Sequence, residues 1–146
     1  MAKLILALLG SVALAYNTAH AAPAFSTAEQ QEMNRAVLLY NVKDSVGSAK
    51  FPACLALQGS IPTQAFLDSL GAAGKIYKAW PAGTARGTPP CESSFIVRRF
   101  LQTAPNRAEA SVEQECGQLC GNRATISLQK TAAKWAVASM RYEIHY

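Results

Sequence analysis

Apolar positions follow three different rhythms along this chain. Leu4 to Ala15 is a near-continuous apolar run, broken only by Gly10 and Ser11. From residue 27 to about 42 the spacing turns helical. Met33, Val37 and Tyr40 stand at i, i+4 and i+7 with Ala36 beside them, while Glu29, Gln30, Glu32 and Arg35 are left for water. Ser26-Thr27-Ala28-Glu29 reads as a capping box, a hydroxyl three residues before a carboxylate. The pattern predicts a helix over 27–42 that covers one face of a sheet. The next elements are short. Asp44 to Lys50 is a polar loop, and Phe51 to Leu57 is a short strand weakened by Pro52. Thr63 caps a short helix carrying Phe66, Leu67 and Leu70, which Gly71 ends. Ile76 to Trp80 is a second short strand, and the Pro- and Gly-rich stretch from Pro81 to Pro90 is a loop.

The last third alternates with period two. Phe95 to Thr103 is rich in β-branched and aromatic residues, and Ala104-Pro105-Asn106 is a turn. Ala108, Ala110, Val112 and Gln114 then alternate with Glu109, Ser111, Glu113 and Glu115, a half-buried strand with an acidic outer face. Gly117 to Asn122 turns the chain. Ala124, Ile126 and Leu128 alternate again, and so does Trp135 to Tyr146, with Trp135 and Val137 on one face. Four strands in a row with short turns make a meander. The predicted fold is therefore α+β: an N-terminal helix and a short second helix packed on a curved antiparallel sheet, the C-terminal β-meander. Tyr142, Ile144 and Tyr146 are placed on one face of the last strand, which either packs its apolar side or recruits a partner by strand addition.

The first apolar run sets the compartment. Lys3 precedes it, Tyr16, Asn17, Thr18 and His20 follow it, and Ala19-His20-Ala21 is an A-x-A cleavage pattern. Residues 1–21 thus read as a secretory signal peptide and 22–146 as a single domain. The run is shorter than the roughly 20 apolar residues of a membrane span. No later stretch is long and apolar enough to serve, so no transmembrane segment is predicted for the mature chain, which is periplasmic or secreted. Cleavage lowers the formal charge from +5 by the one carried on Lys3, and leaves His145 as the remaining histidine.

Cys54, Cys91, Cys116 and Cys120 all lie in the mature part. Four cysteines in an exported chain read as disulfides, with three pairings open. Cys116–Cys120 and Cys54–Cys91 are favoured, the first by closeness in sequence and the second by elimination. A zinc site would want C-x2-C pairs, and a redox pair C-x-x-C at a helix start; C-x3-C fits neither.

The run Cys116-Gly117-Gln118-Leu119-Cys120-Gly121, then Thr125-Ile126-Ser127-Leu128, then Lys134-Trp135-Ala136-Val137 resembles the C-terminal half of a group of small exported bacterial proteins of uncharacterised function. Their pattern is a C-G-x-L-C-G turn between two strands, followed by W-x-V. The likeness covers roughly the last 60 residues. Glu115 departs from it, since the group often has an aromatic there. The resemblance implies no catalytic residue.

A search for chemistry returns little. There is no H-E-x-x-H, no EF-hand loop, no G-x-S-x-G elbow and no phosphate loop. His145 stands next to last, a poor place for a catalytic base. Gly71-Ala72-Ala73-Gly74-Lys75 follows a helix and reads as a helix stop and flexible link. Glu109, Glu113 and Glu115 recur at two-residue steps, the look of a solvated strand face. Arg98 or Arg99 is placed to pair with one of them across the strands. No catalytic, cofactor or metal residue is assigned. The charge is too mild, and export too strong a counterargument, for a nucleic-acid partner. The function expected is an exported non-enzymatic binding or accessory protein of the cell envelope, of inhibitor, immunity or assembly type, with an unknown protein or anionic envelope partner. The alternatives are a small hydrolase using Asp68 and the glutamates on envelope polymer, and a small-ligand cup beneath the first helix.

Overall fold

The computed structural model describes residues 25–44, 52–58, 60–81, 91, 93–116 and 121–145, and at Asp44, Cys116, Ile144 and His145 the backbone alone. The predicted signal peptide, Cys120 and the side chain of Cys116 lie outside the described residues, and with them the expected Cys116–Cys120 pair. Ser26 and Glu29 form the reciprocal cap that their spacing predicts. The Ser26 hydroxyl accepts from the Glu29 amide at 3.3 Å, and the Glu29 carboxylate accepts from the Ser26 amide at 3.2 Å. Helix α1 (Thr27–Asp44) follows. Its buried stripe is Met33, Val37 and Leu38, with Asn34 beside it. The predicted stripe ran through Tyr40, which is instead half exposed, so the helix is rotated toward Leu38.

Seven strands form one sheet in the order β2-β1-β3-β5-β6-β7, with β4 also pairing β5. The strands are β1 (Ala53–Leu57), β2 (Tyr77–Ala79), β3 (Ser93–Val97), β4 (Leu101–Ala104), β5 (Arg107–Cys116), β6 (Gly121–Thr131) and β7 (Lys134–His145). Helix-first order makes the fold α+β, as expected. The sheet, however, is mixed. β1 runs parallel to both β2 and β3, and the other pairs are antiparallel. The reason is the connection. Helix α2 (Gln64–Ser69) and a 3-10 helix (Gly71–Ile76) carry the chain from β1 back to the start of β2, a crossover that only a parallel pair needs.

Three further expectations change. The predicted link Gly71–Lys75 is that 3-10 helix; Gly71 does end α2, at φ +62°, and a Cβ at Gly74 would stand 2.0 Å from the Leu67 carbonyl oxygen. The predicted strand 95–103 is two strands, because the chain leaves the ladder at Arg98–Phe100 and turns Phe100 into the core. The register of β6 and β7 shifts twice, leaving Ala138 and Glu143 as extra residues on β7. The second shift sets Tyr142 opposite Ala124 and the backbone of Ile144 opposite Arg123; the Ile144 side chain and Tyr146, and with them the expected shared face with Tyr142, lie outside the described residues.

The core lies between α1 and one face of the sheet. Leu55, Phe95, Val97, Val112, Ile126 and Leu128 meet Met33, Val37 and Leu38 there. At one end the layer is clasped. Phe25 packs edge-on against Trp135 at 5.7 Å, and the Lys130 ammonium lies 5.7 Å from the Trp135 ring centre. Lys130 also binds Glu29 at 2.9 Å, and this with the Ser26 cap holds the Glu29 carboxyl down at about 2. On the other face of the sheet, Cys54 is buried and bridged to Cys91, with 5.9 Å between the Cα atoms, as expected.

The β6–β7 turn places Ala132 at φ 47° and Ala133 at φ 66°, between the paired residues Thr131 and Lys134. Two positive φ values in a two-residue hairpin turn are type I′ geometry, which favours Asn-Gly and costs an alanine about 1–2 kcal/mol per position. Replacing Ala132→Asn and Ala133→Gly together raises unfolding stability by about 1 kcal/mol or more, read from the denaturant midpoint. An unchanged or lower midpoint contradicts this account of the turn. The Cys54–Cys91 bridge spans 37 residues, so Cys54→Ala with Cys91→Ala lowers stability by about 4 kcal/mol on the chain-entropy estimate, in the same measurement.

Candidate functional site

Alternation along β5 and β6 puts small apolar side chains toward α1 and polar ones on the opposite face. That open face is read row by row from the register. Glu113 stands opposite Arg123, Ser111 opposite Thr125, Glu109 opposite Ser127 and Arg107 opposite Gln129. On β7, Arg141 continues the row of Thr125, and Ser139 that of Ser127.

Glu113 is the electrostatic centre. Arg98 reaches its Oε2 at 2.6 Å and Arg123 its Oε1 at 3.0 Å, so one carboxylate is shared by two guanidinium groups. The Glu113 side chain is 17% exposed, while the arginines are 44% and 46% exposed, so the acid is held inside a basic rim. The hydrogen bond from Arg98, with the charges of Arg98 and Arg123, holds the Glu113 carboxyl below its ordinary value against the opposing effect of burial. The same bond raises Arg98. The expected pairing of Arg98 or Arg99 with a β5 glutamate is met by Arg98 and Glu113. Smaller links fix the rest of the face. The Thr125 hydroxyl donates to Glu143, the Ser127 hydroxyl to Glu109 at 3.3 Å, and the Ser94 hydroxyl to Glu115 at 3.4 Å.

A groove with a volume of about 550 Å3 crosses this face. Thr103 and Ala104 of β4 wall one side, Ala138 and Ser139 of β7 the other, and Arg107, Glu109, Ser127 and Gln129 line the space between. A second hollow of about 520 Å3 lies between α1 and α2. Two of its charged groups, Arg35 and Glu32, are already engaged in holding the fold. Arg35 donates to the Ser69 carbonyl and hydroxyl at 2.8 and 2.7 Å, and Glu32 accepts from the Trp135 amide at 3.2 Å.

The structure does not bring the expected acids together. Asp68 is exposed on α2, where it accepts from Gln64 at 2.9 Å, whereas Glu109, Glu113 and Glu115 occupy the open face of β5. The space beneath α1, where the alternative of a ligand cup would place its cavity, is filled by the apolar layer among the described residues. No group of three or more His, Cys, Asp or Glu side chains is placed to hold a metal among the described residues. The backbone of His145 pairs with Asn122 in β7, and its side chain lies outside the described residues. No described helix is long and apolar enough to cross a membrane. Arg107, Arg123 and Ser139 were not singled out from the sequence. Period-two alternation could have placed Arg107 and Arg123 on the polar face of β5 and β6, whereas Ser139 lies beyond a register shift that carries no local mark. Compared with known proteins, the chain matches no family model, no curated protein and no solved structure.

The lowered Glu113 gives a pH test. A carboxylate whose folded value is depressed contributes stability that is present above its unfolded value, roughly 4.3, and is lost as pH falls through the folded value. Wild-type stability therefore drops below about pH 4 in part through Glu113. Glu113→Gln costs about 1 kcal/mol at pH 7, since the pairs are partly exposed, and flattens the acid limb of the stability curve. An acid limb of unchanged slope in the variant refutes the shared ion pair.

Proposed function

We propose that this chain is an exported, non-enzymatic binding or accessory protein of the cell envelope, and that the open face of the sheet is its recognition surface. The observation that carries the reading is the division of labour between the two faces. One face is filled by α1, and the other presents charged side chains already held in place around Glu113. A surface whose side chains are fixed before binding loses less entropy when a partner arrives. The Cys54–Cys91 bridge suits an oxidising compartment. The similarity to small exported bacterial proteins points to the same compartment.

The mature protein, immobilised and exposed to the envelope fraction of its source, is expected to retain one stoichiometric partner. Arg141→Glu, a charge reversal at an exposed position on the outer strand of this face, is expected to weaken that capture about tenfold or more, with unfolding midpoint unchanged. Turnover of a defined substrate by the pure protein overturns the proposal, and so does capture that ignores the reversal.

A further inference from the structure

We infer that the groove between β4 and β7 is a binding site for an acidic sugar chain, with Arg107 as its carboxylate anchor. The inference rests on the reading of the open face as a recognition surface and names what that face holds.

Three observations lead there. Arg107 is exposed in the groove, and its side chain makes no ion pair or hydrogen bond to a described residue. Arg98 and Arg123 on the same face are engaged with Glu113 instead. An unpaired guanidinium has two parallel N–H groups to offer a carboxylate. Around it stand groups that both donate and accept: Thr103, Ser127, Gln129 and Ser139. Glu109, held by the Ser127 hydroxyl at 3.3 Å, adds an acceptor. A ligand that satisfies this set carries a carboxylate and several hydroxyls, which is the chemistry of a uronic-acid-type sugar. The third observation is the extra residue in β7. The register shift falls between Ser127 and Leu128, both on the groove, and the residue it leaves unpaired, Ala138, lines the groove beside Ser139.

The shape favours a chain of sugars over a peptide. The volume of about 550 Å3 holds two or three sugar rings and lies within the usual range for ligand sites. The walls are Ala104 and Ala138, with no large apolar pocket to anchor a peptide side chain. Without an aromatic platform in the groove, affinity comes from hydrogen bonds and charge, so binding is weak and salt-sensitive.

The test is a solution titration of the isotope-labelled mature protein, following amide shifts, with trigalacturonate as the acidic probe. Maltotriose is the neutral sugar control and tetraglutamate the acidic peptide control. Trigalacturonate is expected to move the amides of residues 103–109, 127–129 and 138–139, and maltotriose to leave them still. Arg107→Gln weakens the effect about tenfold or more and Arg107→Lys less, with the rest of the spectrum unchanged. Ser139→Tyr, which fills the groove, abolishes it. No shifts with trigalacturonate, or shifts that Arg107→Gln leaves intact, overturn the inference. Tetraglutamate binding as tightly at the same residues overturns it in favour of an acidic peptide. If trigalacturonate fails while the envelope partner is still captured and released by Arg141→Glu, the groove inference falls and the recognition surface stands. If capture fails as well, both fall.

Discussion

Helix α1 must bury Met33, Val37 and Leu38, and the sheet offers it one apolar face on which to do so. Every other feature is arranged around that single layer. Ala108, Ala110 and Ala124 are buried on that face of the central strands. Leu55, Phe95 and Ile126 supply the volume around it. A buried aliphatic side chain of this size contributes about 1.5–3 kcal/mol, so these contacts outweigh any polar contact on the opposite face. The clasp of Phe25, Lys130 and Glu32 around Trp135 fixes the angle at which α1 enters the layer. It carries a cost, because the Trp135 indole N–H is buried without a partner among the described residues.

One consequence of a single covered face is that the other face has to be polar. Period-two alternation then dictates which residues it shows, and the register dictates which of them meet. Glu113 meets Arg98 and Arg123 because β3, β5 and β6 are neighbours in the sheet, although the three residues are far apart in sequence. The ion cluster is thus a by-product of sheet order. It contributes modestly to stability, since both arginines are nearly half exposed, and more to the fixed pattern of charge on the surface.

Much of this was legible in the chain itself. The capping box at Ser26, the cap at Thr63 and the alternation of β5 and β6 are local signals, and each appears where its spacing places it. The long-range disulfide could be named because few pairings compete. What could not be read is whatever depends on pairing direction and register. Period two is the same in parallel and antiparallel strands, so the parallel β1 pairs carried no local mark. A single extra residue reverses every face beyond it, and neither Ala138 nor Glu143 announces itself as a bulge. For that reason the groove stayed out of sight while Glu109, one of its lining residues, was visible. Leu38 was missed for a different reason. A helix with apolar residues on several sides lets the sheet, not the sequence period, choose the buried stripe.

The two bulges also decide which part of the sheet is left for a partner. β7 is a long outer strand with β6 as its neighbour in the sheet, and a flat strand in that position would invite another strand to pair. Here the extra residues at 138 and 143 interrupt its regular spacing, and Glu32 takes the Trp135 amide that would start such a ladder. Both devices discourage edge pairing, and one of the extra residues, Ala138, lines the groove on the polar face. An interrupted edge beside an open face favours recognition by side chains over recognition by added strands.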